Sequence, residues 1–296
     1  MRYPTIKQLR YFIALTETNH FGRAAQASFV SQSAFSSAIA ELEELLGTQL
    51  VDRTNRRVTI TANGQQVATQ ARLVLRDVEA LVEMAQGDRE PLAGELRLGV
   101  IPTIAPFMLP PILPKLRRKY PKLRLLLAED QSERIYDRLM DGDLDAILLA
   151  LPYDMTGVDV EELFRDPFCL AYRDGTELVD PENYRFNRLD SETVLLLEDG
   201  HCLRDHAIAA CKIRNTQKVR SFAANSLLTL VEMVDADLGI SFLPEMARDS
   251  ALLRNTRVRL APLTEKSYRT IGMAWRSGSQ RGEEFRMLGR FLTENR

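Results

Sequence analysis

Up to about Thr61 the chain alternates short apolar-periodic runs with turn signals. Leu9, Phe12, Ile13 and Leu15 recur at helical spacing and predict a first helix. Phe21, Ala24, Ala25 and Ala27 predict a second after Asn19-His20. Ser31-Gln32-Ser33 opens a third, with Ala34, Phe35, Ala38, Ile39, Leu42, Leu45 and Leu46 on its apolar face and Gly47 placed to end it. Leu50-Val51 and Arg56 to Ile60 are strand-like pieces around a turn at Arg53-Thr54-Asn55. Helix, turn, helix and a two-stranded wing predict a winged helix-turn-helix domain over residues 1–61.

A long helix follows. Val67, Ala71, Val74, Val78, Leu81 and Ala85 are spaced alternately by four and three, with Leu75 and Val82 widening the seam. That is a coiled-coil pattern, and it predicts a linker and dimerisation helix over 62–90 that pairs two heads on two half-sites. The polar, Gly- and Pro-bearing stretch Gln86 to Gly94 reads as a hinge.

Beyond it, residues 91–296 alternate strand-like and helical patterns. Glu95–Ile101, Leu123–Ala128 and Asp145–Leu151 read as strands, with helices over Pro106–Lys119 and Gln131–Gly142 between them. Further strands are expected at Phe168–Tyr172, Val194–Leu197, Lys218–Phe222, Gly239–Leu243 and Arg269–Trp275, then a last helix over Glu283–Glu294. The order predicts an α/β body with a parallel sheet, lobe I over about 91–164 and 268–296 and lobe II over about 165–267.

Composition narrows the class. With 296 residues the chain is long enough for two or three domains. A hydrophobic share of 45% with 27% charged residues is that of a globular chain rather than a disordered one. A net charge of -2 excludes a uniformly basic nucleic-acid coat but leaves room for a local basic patch. No apolar run reaches the roughly 18 residues of a membrane span. Met1 to Lys7 carry no apolar signal segment, so a cytoplasmic protein with free thiols is expected.

The candidate chemistry falls in two places. Ser31, Gln32, Ser33 and Ser36 open the third helix, where Gln can pair with adenine and Ser with base or phosphate. Arg53, Arg56 and Arg57 in the wing suit phosphates or a minor groove. A lone serine there reads equally well as a helix cap; the block as a whole favours DNA. The same helix carries Ala38, Ala40, Glu41, Glu43 and Glu44 and offers little phosphate attraction, which shifts affinity to the wing and to multivalency.

The second place is Glu198 to Cys211. Good helix formers separate Cys202 from Cys211, with Leu203, Ala207, Ala210 and Cys211 on one apolar face. A rise of about 1.5 Å per residue holds the two Cα atoms roughly 13 Å apart, whereas a disulfide needs them within about 7 Å. Joining these thiols therefore requires the helix to unwind. Cys202 in a first helical turn, with His201 and Arg204 nearby, favours a thiolate. Thr103, at the turn after the first body strand, and Ser132, after the second, offer hydroxyls to a polar ligand. Cys169 reads as a buried packing residue, His20 and His206 as surface histidines. No paired His or Cys-x-x-Cys spacing points to zinc, so neither a metal nor a cofactor is expected.

Phe21-Gly-Arg-Ala-Ala, Val30-Ser-Gln-Ser-Ala-Phe-Ser, Leu42-Glu-Glu-Leu-Leu-Gly47 and Val58-Thr-Ile-Thr-Ala-Asn-Gly64 resemble the head of LysR-type transcriptional regulators. Leu197-Glu-Asp-Gly-His-Cys-Leu-Arg-Asp205 with Cys211, together with Ile101-Pro-Thr103, Leu109-Pro110 and Arg269-Thr-Ile-Gly272, is similar to the OxyR family, their hydrogen-peroxide-sensing branch. The resemblance covers nearly the whole chain. It implies a two-lobed periplasmic-binding-protein-like effector domain with a cleft between lobes. It also implies Cys202 as peroxidatic and Cys211 as resolving residue, with His201, Thr103, Ser132, Arg204, Asp205 and Arg269 around peroxide. Ser132 stands where relatives carry Thr, which keeps the hydroxyl and loses the methyl. The expected protein is a regulator rather than an enzyme: a homodimer or homotetramer on promoter DNA that recruits RNA polymerase to antioxidant genes. The alternatives are a LysR-type regulator that binds a small carboxylate in the cleft and, in another class, a thiol peroxidase, which has no need of the head and linker.

Overall fold

The computed structural model describes residues 3–53, 58–85, 90–185, 189–190, 193–198, 202–210, 219, 224–263 and 267–296. It divides into two compact units, Met1–Glu90 with Met140–Asp143, and Pro91–Leu139 with Leu144–Arg296.

The first unit opens with α1 (Ile6–Thr18), α2 (Phe21–Ala27) and α3 (Gln32–Leu46). Each start is chemically marked. Thr5 and Gln8 form a reciprocal capping box on α1, the His20 ring accepts from the Gly22 and Arg23 N–H groups at the start of α2, and Ser31 caps α3. Gly47 ends α3 in the left-handed region, where a side chain would be strained. The two wing strands, β1 (Val51–Arg53) and β2 (Val58–Ile60), pair antiparallel. Glu43 had counted as a surface acid; its carboxylate instead accepts from the Leu50 and Val51 N–H groups at 2.8 and 3.0 Å and fastens the wing to α3. The 24-residue α4 (Ala62–Ala85) buries Ala68 and Ala71 in the same core as Phe12, Leu15, Phe35, Ile39 and Leu42. The first part of the predicted seam thus packs on its own head. Farther along, Val74, Leu81 and Val82 are exposed.

The second unit runs β3 (Gly94–Val100), α5 (Ala105–Lys119), β4 (Leu123–Glu129), α6 (Ser132–Met140) and β5 (Ala146–Leu151). The long β6 (Val158–Arg173) follows, then α7 (Cys202–Ala210), α8 (Leu227–Asp235), β7 (Ser241–Pro244), β8 (Val258–Pro262), β9 (Tyr268–Arg276) and α9 (Gly282–Asn295). The sheet order is β4-β3-β5-β9-β6-β7, with β8 on β6. β3 pairs in parallel with β4 and β5; β9 lies antiparallel between β5 and β6, and β7 and β8 are antiparallel to β6. The parallel sheet expected from the β/α alternation is therefore a mixed one, because alternation along the chain does not reveal a strand inserted from its far end.

Two apolar cores lie along this sheet. One gathers Leu98, Val100, Ile147, Leu149, Trp275 and Phe285; the other gathers Phe168, Leu170, Leu195, Val231 and Phe242. β6 serves both, pairing with β9 up to Pro167 and with β7 and β8 from Phe168 onward. Among the described residues Val194–Leu197, expected as a strand, makes isolated bridges from Val194 to Val219 and Ile240 and from Leu197 to Ala224. Of the strand expected over 218–222, only Val219 lies within the described residues.

Candidate functional site

In the first unit the start of α3 is open to solvent: Ser31, Gln32 and Ser33 are exposed and Ser36 is half-buried. The Ser31 hydroxyl accepts from Ala34 N–H at 3.3 Å and lies 3.1 Å from the Ser33 hydroxyl, so it caps the helix at the edge of this surface. Beneath it, Phe35 stacks on Tyr11 with ring centroids 5.0 Å apart and fixes α3 on α1. Arg53 ends β1; Arg56 and Arg57 lie outside the described residues.

In the second unit the structure brings Thr103 and Arg269 together and adds Asp166, which the sequence reading did not select. Arg269 on β9 is directly opposite Asp166 on β6 in the strand register. All three side chains are buried. Arg269 Nε donates to Asp166 Oδ2 at 3.0 Å, Nη1 to Thr103 Oγ1 at 2.8 Å and Nη2 to the Thr103 carbonyl at 2.8 Å. The Met246 N–H donates to Asp166 Oδ1 at 3.2 Å. A buried ion pair holds only when its remaining donors and acceptors are satisfied, and here Thr103 and Met246 satisfy them. Burial raises the Asp166 carboxyl above the usual carboxylate range, against the opposing charge and hydrogen bond of Arg269.

Thr103 also faces a cleft of about 390 Å³, lined with Pro106 and Glu129 on one side and Leu197, Asn225 and Ser226 on the other. Ser226 caps α8 there, accepting from Thr229 N–H. Sequence reasoning missed this wall, although a serine followed by Leu227, Leu230, Val231 and Val234 is a legible helix start. Ser132 is buried at the start of α6, with no hydrogen-bond partner for its hydroxyl among the described residues.

Cys202 is the first residue of α7, which anchors in the second core through Leu203 and Ala207. Arg204 is half-exposed and Asp205 exposed; His201 and Cys211 lie outside the described residues. His206, one turn after position 202, is not the surface histidine expected. It is half-buried, with Nε2 3.1 Å from the Pro152 carbonyl and Nδ1 without a partner among the described residues. Burial pushes its pKa below the ordinary imidazole value; the Pro152 carbonyl opposes this and the Arg269 charge adds to it. Cys169 is buried on β6, donating to Glu245 Oε2 at 2.6 Å, and burial with that carboxylate pushes its thiol up to about 12. Among the described residues no cluster of His, Cys, Asp and Glu could hold a metal ion, and no helix is long and apolar enough to cross a membrane.

Residues 6–65 match the model of the bacterial regulatory helix-turn-helix proteins of the lysR family, and residues 89–296 match the LysR substrate binding domain. The chain is 40% identical over 286 residues to the HTH-type transcriptional regulator EstR of Acinetobacter baylyi, covering 96% of this chain and 95% of that protein. It is 38% identical over 283 residues to the DNA-binding transcriptional dual regulator OxyR of Escherichia coli K12, covering 96% and 93%. The solved structure of a full-length cysteine-to-aspartate variant of OxyR from Pseudomonas aeruginosa superimposes with a TM-score of 0.80 at 31% identity, covering 99% of this chain and 95% of that one.

Proposed function

The chain belongs to the LysR family of bacterial transcriptional regulators, and from that premise we propose that it senses hydrogen peroxide through a reversible Cys202–Cys211 disulfide. The observation that carries this reading is α7. It begins at Cys202 and runs to Ala210, the residue before Cys211. Its first turn favours a thiolate at position 202 through the unpaired N–H groups of the helix start. Its length, at about 1.5 Å per residue, separates its ends by roughly 12 Å, well beyond disulfide reach.

The chemistry takes two steps. The Cys202 thiolate attacks one peroxide oxygen, the O–O bond breaks, and the other oxygen leaves as hydroxide, which takes up one proton to become water; Cys202 becomes a sulfenic acid. The Cys211 thiol then displaces water from that sulfenic acid and the S–S bond forms. Two electrons pass from the sulfurs to peroxide. Closing the bond unwinds α7, which is packed into the second core by Leu203 and Ala207, so oxidation reaches the body of the domain. Thr103 and Arg269 support the neighbouring turn, with His201, Ser132, Arg204 and Asp205 completing the peroxide environment. Ser31, Gln32, Ser33, Ser36, Arg53, Arg56 and Arg57 are assigned to DNA, with the protein acting in the cytoplasm as a dimer or tetramer. The oxidised form engages promoters differently and recruits RNA polymerase to antioxidant genes.

Intact mass and footprinting after one equivalent of peroxide test this. A loss of about 2 Da and an altered footprint, both abolished by Cys202→Ser or Cys211→Ser, are expected. An unchanged mass, with thermal stabilisation by a small carboxylate in the Thr103–Ser226 cleft, replaces the peroxide reading with an effector-binding one.

A further inference from the structure

Among the described residues of the first unit, helix ends pass through the left-handed region at Asn19 (φ 48°), Phe29 (φ 55°) and Gly47 (φ 66°). Asn and Gly are the usual residues there, because a Cβ crowds the next carbonyl and bulky side chains suffer most. Phe29 breaks that pattern. The turn itself is an ordinary helix ending: the Val30 N–H reaches back to the Ala25 carbonyl at 3.1 Å, as the Thr48 N–H does to Glu43 at 3.2 Å around Gly47. This geometry calls for a positive φ and not for an aromatic ring.

Nor does the ring contribute to the core. Phe12 and Phe35 are fully buried, whereas Phe29 is 95% exposed. A residue that adds backbone strain and buries nothing within its own chain points to a contact outside it. Phe29 stands two residues before Ser31, beside the exposed Gln32 and Ser33, at the end of α3 that a helix-turn-helix inserts into the major groove. Among base edges in that groove, the thymine methyl is the apolar group a phenyl ring can read.

We infer that Phe29 packs against a thymine methyl beside α3 and adds an apolar, sequence-reading contact to the polar ones at the helix start. The inference rests on the DNA-binding reading of the head. Being uncharged, the ring releases no counterions, so its contact is independent of salt.

Full-length wild-type protein is used to enrich duplexes from a random library. The enriched duplex is then titrated with wild type, Phe29→Asn and Phe29→Gly, with each half-site thymine in turn replaced by uracil, which lacks the methyl. Both variants are expected to bind about three- to tenfold more weakly, with the same salt slope and an equal or higher melting temperature. Uracil at one position per half-site weakens the wild type by a similar factor and leaves the variants unchanged. If the wild type enriches a duplex and Phe29→Asn binds it equally well, or if variant and uracil effects simply add, the inference is overturned and the DNA reading stands. If the wild type enriches nothing, the DNA-binding reading fails and the inference falls with it.

Discussion

Arg269 holds Thr103 by two arms, one on its hydroxyl and one on its carbonyl, both at 2.8 Å and both buried. Its Nε bonds Asp166, so one guanidinium ties the turn before α5 to β9 and β6. The Thr103 hydroxyl is thus part of the framework as well as part of the cleft wall.

Thr103→Val keeps the shape of that side chain and removes the acceptor for Nη1. A buried donor without a partner costs about 1–3 kcal/mol, and more when it is charged. Urea unfolding is expected to show a lowered midpoint with an unchanged slope, while Thr103→Ser stays close to wild type. A valine variant as stable as wild type contradicts the two-armed arrangement.

His206 sets a pH dependence of stability. Burial lowers its folded pKa below the ordinary imidazole value, and the groups facing it are the Pro152 carbonyl, Arg269 from β9 and Asp205 on its own helix. Between the lowered value and about 6.5 the unfolded chain therefore binds more protons than the folded one, so acid favours unfolding. Relative to His206→Gln, the wild type is expected to lose melting temperature as pH falls through 6.5 and to hold a constant difference above about pH 7.5. A difference that stays flat from neutral to acidic pH refutes the half-buried, neutral imidazole.

What the sequence disclosed was mostly local. Ser31 and Gly47 bracket α3 because capping and positive φ are chemistry of a few neighbouring residues. Asp166 escaped notice because its partner lies 103 positions away and meets it only through the β6–β9 register. Glu43 and His206 were misread for a related reason. Each sits on a helix surface by periodicity, and each meets a segment outside its helix that periodicity does not register: the start of the wing just after α3 for Glu43, and the distant Pro152 carbonyl for His206. The cysteine segment was legible as a helix start, but Asp199, Gly200, His201 and Cys211 lie outside the described residues.

Cys169 is expected to be inert where a sensor thiol is reactive. Its pKa of about 12 and its hydrogen bond to Glu245 leave little thiolate at neutral pH. In a Cys202→Ser, Cys211→Ser double variant it is the remaining cysteine of three. Native-state alkylation should then run on the order of a thousandfold slower than in the unfolded chain. Prompt labelling of the folded variant contradicts the buried, carboxylate-bonded thiol.

The exposed part of α4 supplies the last expectation. Ala68 and Ala71 fix the start of the helix in the head core, yet Val74, Leu81 and Val82 are 42%, 62% and 51% exposed. Covering one such aliphatic side chain fully is worth about 1.5–3 kcal/mol, and in a symmetric pair every residue counts twice. Val74→Lys with Leu81→Lys places four charges in that seam while sparing the head core. Sedimentation is expected to show a dimer dissociation constant raised at least roughly a hundredfold, with helical content unchanged in the dichroism spectrum. An intact dimer at the same concentration places the pairing surface elsewhere and leaves these three apolar residues without a partner.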